Sequence, residues 1–364
     1  MKEFYPSEIT DESRKELLEI ARWYNDIYGY NDIYGHNVTV VGGWAAHLYH
    51  AGLGSKDIDL VFLHHMTLHE SLETYMKNNG YTLESGGNCD WRFVKHVAGT
   101  EVIVDAVDSA ARRQVTGTKA SVIWKWTQNE EHVDRHTLEN GAETFVPKPE
   151  LLLYYKFGGM LGRSNALRTT LDPAETAMRM SKVQKDIYDA GLVAKESGYV
   201  DIEKLWLFMK ASGLMDYFHE INSLLNEHGA NEEVGGFVPS LTSILEEVDE
   251  REANFDALSE DLVSKDGKGI ILTLPSYRTD FPEIYHGTID RIMRQLKISV
   301  EPRKVATYLL YAKVIVGDSK ELEEYTRRRY LAQIKSLSES KNPNIKEIAK
   351  KLRDDLMRSE RTEA

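Results

Sequence analysis

The sequence predicts an α+β fold, a small mixed β-sheet with helices followed by a mainly α-helical C-terminal half. Three observations predict it. The stretch Val38–Phe62, VTVVGGWAAHLYHAGLGSKDIDLVF, reads as strand, Gly-Gly turn, helix, loop and second strand. Between Tyr81 and Val107 three short runs rich in β-branched and aromatic residues follow one another, two of them joined by the turn Val97-Ala98-Gly99-Thr100. From Pro147 onward the apolar spacing becomes helical and stays so.

The elements follow in chain order. Residues 7–27 carry an apolar stripe (Ile9, Leu17, Leu18, Ile20, Ala21, Trp23), with Ser7 or Thr10 as cap, and are expected to be a helix. A tandem hexapeptide, YNDIYG at 24–29 and again at 30–35, reads as a duplicated turn or frayed helix end, or else as a substrate-contacting tyrosine loop. Val38–Val41 is a strand, Trp44–Ala51 a helix and Asp57–Leu63 a second strand. Leu68–Asn79 is a helix closed by Gly80. Tyr81–Glu84, Asp90–His96 and Glu101–Val107 are strands. Helices are expected at 147–163, 174–190 and in two pieces over 201–227 split at Gly213, with 231–240 as a linker. The resulting division is 1–36 (helix and repeat loop), 37–146 (α/β core), 147–235 (helical domain completing the site) and 236–364 (helical, of unassigned role).

Bulk properties narrow the function. No apolar run approaches a membrane span and the N-terminus has no signal-peptide core, so a cytoplasmic protein without membrane contact is expected. One cysteine, Cys89, excludes an intramolecular disulfide and a cysteine-based zinc cluster. A formal net charge of −13 argues against a general polyanion binder, although a local basic patch would still hold RNA.

The chemistry concentrates in Val38–Phe62. Residues two apart on a strand share a face, so Asp57 and Asp59 project together with Ile58 turned inward. A divalent cation relieves the repulsion of two such carboxylates, and Mg²⁺ prefers one or two carboxylates plus phosphate oxygens. Gly42-Gly43 opens a helix whose free N–H groups can meet an anion. Further on, TEVIVDAVD sets Asp105 inside an otherwise apolar strand, with Glu101 and Ile103 on the same face. That placement is costly unless the charge is paired. Other polar residues read more plainly. His64, His65 and His69 lack a completing ligand set, and Cys89 suits a loop. Trp124 and Trp126 suit the core better than a base-stacking platform. Arg92 faces either the site or a cross-strand partner. Arg327–Arg329 and Lys346–Arg353 suit solvated helix faces, with RNA contact as the alternative.

An apolar strand, Gly42-Gly43, thirteen intervening residues and Asp57-Ile58-Asp59 together resemble the first motif of the DNA polymerase β-type nucleotidyltransferase superfamily. That resemblance implies a nucleotidyltransferase core in which Asp57, Asp59 and Asp105 are catalytic and hold Mg²⁺ or Mn²⁺. VPKPELLLYYKFGGMLGR and SKVQKDIYDA are similar to the helical motif of AbiE-type toxin nucleotidyltransferases, at Lys156, Arg163, Lys185, Asp186 and Asp189. The resemblance spans residues 36–190. It departs at Leu53, where an arginine is common, and in the long segment between Lys156 and Asp186. It implies an NTP as substrate, with Gly42, Gly43, Ser55, Lys56, Lys156, Arg163, Lys185 and Asp186 around the nucleotide. The acceptor hydroxyl would belong to tRNA, a protein or a small molecule, and an antitoxin partner is implied. The alternative is an inactive member of the fold serving as a nucleotide-binding or protein-interaction module.

Overall fold

A computed structural model describes residues 7–28, 38–50, 54–63, 66–84, 90–97, 99–229, 231, 234–260 and scattered positions between 334 and 350. Contacts divide the chain into two units, Met1–Asp249 and Glu250–Ala364. Leu53, His64, His65, Cys89, the second YNDIYG copy, Arg327–Arg329, and most of the expected C-terminal helical half lie outside the described residues. So does the side chain of His69.

The first unit is mixed α and β. Helix α1 (Ser7–Tyr28) precedes β1 (Val38–Val41), α2 (Gly42–Tyr49), β2 (Asp57–Phe62) and α3 (Met66–Asn78). Strands β3 (Thr82–Glu84), β4 (Trp91–Val97), β5 (Thr100–Asp108), β6 (Arg112–Gln114), β7 (Ser121–Ile123), β8 (Val133–Thr137) and β9 (Glu143–Pro147) follow. Helices α4 (Pro149–Leu167), α5 (Pro173–Glu196), α6 (Ile202–Ser212), α7 (Phe218–His228) and α8 (Val238–Glu260), of which this unit holds the part up to Asp249, complete the described elements. Seven strands form one sheet in the order β3-β4-β5-β2-β1-β9-β8, and β6 and β7 form a separate hairpin. β2 runs parallel to β5, and β1 parallel to β9; the other sheet pairs are antiparallel. The strands after Ala110 have no counterpart in the sequence expectation, because runs of three to five residues are too short for a period of two to declare itself.

The sheet's centre is dry. Val40, Ile58, Leu60, Val61, Phe62, Val102, Val104 and Ala106 are all buried, which suits strands covered on both faces. α1, α2 and α4 pack on the strands. α4 is apolar nearly all round: Leu151, Leu152, Leu153, Tyr154, Phe157, Met160 and Leu161 are buried against α2, α5, α6, α7, β7 and β9. Full burial of each such side chain contributes about 1.5–3 kcal/mol, so α4 anchors the helical layer to the sheet. The Tyr154 hydroxyl accepts from the Ile123 amide at 3.1 Å and donates to the Ser121 carbonyl at 2.9 Å, which ties β7 to α4.

One local expectation changes. The stretch 231–240 is not an open linker: Val234 and Val238 are buried, and α8 already begins at Val238. Phe237 packs edge-on against Tyr188 and lies so close to Gly191 that a Cβ there would meet its Cβ at 2.2 Å. Trp124 and Trp126 stand on a 3₁₀ turn, Trp124–Gln128, where Trp126 is buried against Tyr154 and Phe208.

Candidate functional site

Register brings the acidic residues together. Asp59 pairs with Asp105 across β2 and β5, and with Val41, the residue before Gly42, across β1 and β2. Asp57 sits one pleat away on the same face. Gly42 has φ +70°, and a Cβ there would lie 2.1 Å from Asp59 Oδ2. The glycine therefore serves two ends, a left-handed turn out of β1 and room for a carboxylate. A Cβ at Gly43 would lie 2.7 Å from Lys185 Nζ and 2.8 Å from Ser55 Oγ. The start of α2 is thus lined by a buried ammonium and a buried hydroxyl.

Asp59 is partly buried, and its environment raises its pKa to about 7. Loss of hydration is the main cause, and the Asp57 and Asp105 charges add to it. Lys156 and Arg163 pull in the opposite direction.

A layer of cations on α4 and α5 faces these carboxylates. Lys156 donates to Asp189 Oδ2 at 2.6 Å and to Asp186 Oδ1 at 3.2 Å, and Lys185 donates to Asp189 Oδ2 at 2.8 Å. Arg163 pairs with the other oxygen of Asp186. Lys156, Lys185, Asp186 and Asp189 are all buried. Burial works to raise the Asp189 carboxyl, but Lys156 and Lys185 overcome it and hold the group below the ordinary range. Burial in turn lowers the Lys185 ammonium, although Asp189 opposes this.

Several predicted residues are already engaged. Lys56 donates to Glu101 at 2.9 Å, which directs it to a carboxylate on β5. Both oxygens of Asp105 accept from Arg92, at 2.8 and 2.7 Å, through the register pair Arg92–Asp105 on β4 and β5. Of the two readings left open for Arg92, the cross-strand partner is the one observed, and that partner is a candidate site residue. Lys182 stands 3.9 Å from Asp57 Oδ2 and has no place in the sequence motifs. Its signal was available in the helical spacing, since 182, 185, 186 and 189 lie on one face of α5.

Among the described residues no group of three or more His, Cys, Asp or Glu side chains forms a ready metal-binding cluster. Asp57 and Asp59 nevertheless suit a hard divalent cation. Asp57 Oδ1 is buried without a hydrogen-bond partner, and the Asp57 and Asp105 charges that add to the rise of Asp59 are a repulsion that a cation would relieve. Asp105 is held by Arg92 and would meet a cation only by sharing its oxygens with the guanidinium.

No family model matches the sequence, and no curated protein matches it. Among the described residues no helix is long and apolar enough to cross a membrane.

Proposed function

We propose that this protein is a metal-dependent nucleotidyltransferase of the DNA polymerase β type, resembling the AbiE-type toxins, that moves a nucleoside monophosphate from an NTP to an acceptor hydroxyl. The observation that carries the reading is the contact of Gly42 with Asp59. It joins the glycine turn, the start of α2 and the Asp57–Asp59 pair into one wall. In the reaction, the acceptor oxygen bonds to the α-phosphorus and gives its proton to a carboxylate of the site. The bond from the α-phosphorus to the oxygen bridging to the β-phosphate breaks, and pyrophosphate leaves with that electron pair. Mg²⁺ or Mn²⁺, when bound, would neutralise phosphate charge and acidify the acceptor hydroxyl. Asp57 and Asp59 would hold the ion, and Arg92 would fix the orientation of Asp105. The carboxylates Asp57, Asp59, Asp105, Asp186 and Asp189 are equalled in number by the cations Arg92, Lys156, Arg163, Lys182 and Lys185, although Lys156 bridges Asp186 and Asp189. A site so balanced favours metal and triphosphate arriving together over either alone.

The test is incubation with each α-labelled NTP, Mg²⁺ or Mn²⁺ and cell extract, beside the double variant Asp57→Ala/Asp59→Ala. Label entering a tRNA, a protein or a small molecule with wild type alone supports transfer and names the acceptor. The absence of metal-dependent binding or transfer with every NTP sinks the reading. The bidentate Arg92–Asp105 pair favours a second reading, in which the fold binds nucleotide or a protein partner, such as an antitoxin, without turnover. Metal-dependent NTP binding without transfer, in wild type and Arg92→Met alike, would support it.

A further inference from the structure

We infer that Lys182 is a phosphate-contacting residue of this site, gripping the triphosphate of the incoming nucleotide, while Lys156 is a structural counter-ion. The inference rests on the transferase reading and divides the cations by accessibility. Lys156 and Lys185 are only 6% and 8% exposed at their side chains; Lys156 donates to Asp186 and Asp189, and Lys185 donates to Asp189. A phosphate reaching either lysine would have to break a buried ion pair, which is strongly unfavourable. Lys182 differs on each count. Its side chain is 42% exposed, and its distance of 3.9 Å from Asp57 Oδ2 is at the outer limit of an ion pair. It stands one helical turn before Lys185, whose ammonium approaches Gly43 and Ser55 at the start of α2. It therefore continues the lysines of α5, Lys182 and Lys185, from the buried end of the cradle to solvent. A flexible four-carbon stem lets its ammonium leave Asp57 when a cation takes that carboxylate, and the freed charge then meets phosphate oxygens.

The probe is inorganic tripolyphosphate with Mg²⁺, followed by calorimetry and independent of any base or acceptor. Lys182→Met should weaken tripolyphosphate binding about tenfold, as expected for one charge-assisted contact, and Lys182→Arg should restore most of it. Mn²⁺ binding without tripolyphosphate, read by its paramagnetic resonance signal, should be unchanged or stronger in Lys182→Met, because a competing cation beside Asp57 is gone. A merely structural role would weaken both. Equal tripolyphosphate affinity in wild type and Lys182→Met overturns the assignment and leaves the transferase reading intact. Failure of wild type to bind NTP or tripolyphosphate with Mg²⁺ overturns both.

Discussion

Gly42 and Asp59 are in contact across the β1–β2 pair, so close that a methyl group on the glycine would lie 2.1 Å from the carboxylate oxygen. Gly42→Ala therefore meets two penalties. The left-handed backbone costs about 1–2 kcal/mol with a Cβ present, and Asp59 must also move. Urea unfolding should show a loss at least that large, and Mn²⁺ affinity should fall by about tenfold or more as the carboxylate leaves its place. Gly80→Ala is the control. Gly80 has φ +81° but nothing within 4 Å of a Cβ, so it should show the backbone cost alone with Mn²⁺ affinity unchanged.

Lys156 and Lys182 predict opposite balances of stability against binding. Lys156→Met removes a charge from between two buried carboxylates. Breaking a buried pair in this way costs about 3–5 kcal/mol. Lys182→Met removes a half-exposed charge at 3.9 Å from its partner and should cost well under about 1 kcal/mol. Denaturant midpoints of the two variants check this directly. A Lys156→Met protein as stable as wild type would show that the ion cluster is not part of the scaffold.

The site was legible in the sequence wherever covalent spacing sets the geometry. Asp57 and Asp59 share a face because a strand has a period of two, and the Gly-Gly turn lies at a strand end because only glycine tolerates what φ +70° requires there. What pairs with what was less legible. Lys56 could as readily have faced phosphate as Glu101, and only the β2–β5 register decides it. Arg92 meets Asp105 because β4 and β5 form a hairpin around Gly99, a contact set by the turn and not by either residue. Lys182 was missed because motif reading stops at the buried residues of α5, and the same helix face continues one turn further. The small strands β6 to β9 were missed for a simpler reason. β6 and β8 carry exposed residues that break the apolar alternation, and β7 and β9, at three and five residues, are too short to declare a period of two.

His132 gives a pH dependence remote from the site. Its ring packs edge-on against Phe208 at 5.0 Å. Burial lowers its pKa to about 4, with Lys204 and Lys148 adding to the shift. The unfolded chain protonates this histidine near its ordinary value of about 6.5, and the native chain refuses the proton until about pH 4. Between those values the unfolded state binds more protons. This stability is therefore fully present above about pH 6.5 and is lost as pH falls, by about 2 kcal/mol at about pH 5. Urea midpoints compared at about pH 7.5 and 5 should show the loss, and His132→Leu should remove that part of it.

Asp59 predicts the reverse trend, because its carboxyl is raised. Burial, Asp57 and Asp105 bring it to about 7 against the pull of Lys156 and Arg163. The unfolded chain ionises this group near about 3.9. Between those values the native state holds the extra proton, so the contribution of Asp59 to stability falls as pH rises from about 4 to 7. Above about pH 7 the native chain carries a destabilising charge. Asp59→Asn should then stabilise the metal-free protein by about 2 kcal/mol, a figure reduced from the full shift because the site is partly open to solvent. The same substitution should abolish Mn²⁺ binding. In wild type that binding should weaken about tenfold for each pH unit below about 7, as protons compete for the carboxylate. Calorimetry of Mn²⁺ in buffers of different ionisation enthalpy would show the released proton directly. A residue whose removal stabilises the empty chain and destroys its metal affinity is held in place for chemistry and not for the fold. If Asp59→Asn instead lowers stability and leaves Mn²⁺ affinity intact, the carboxylate belongs to the scaffold, and the metal site must be sought elsewhere in the chain.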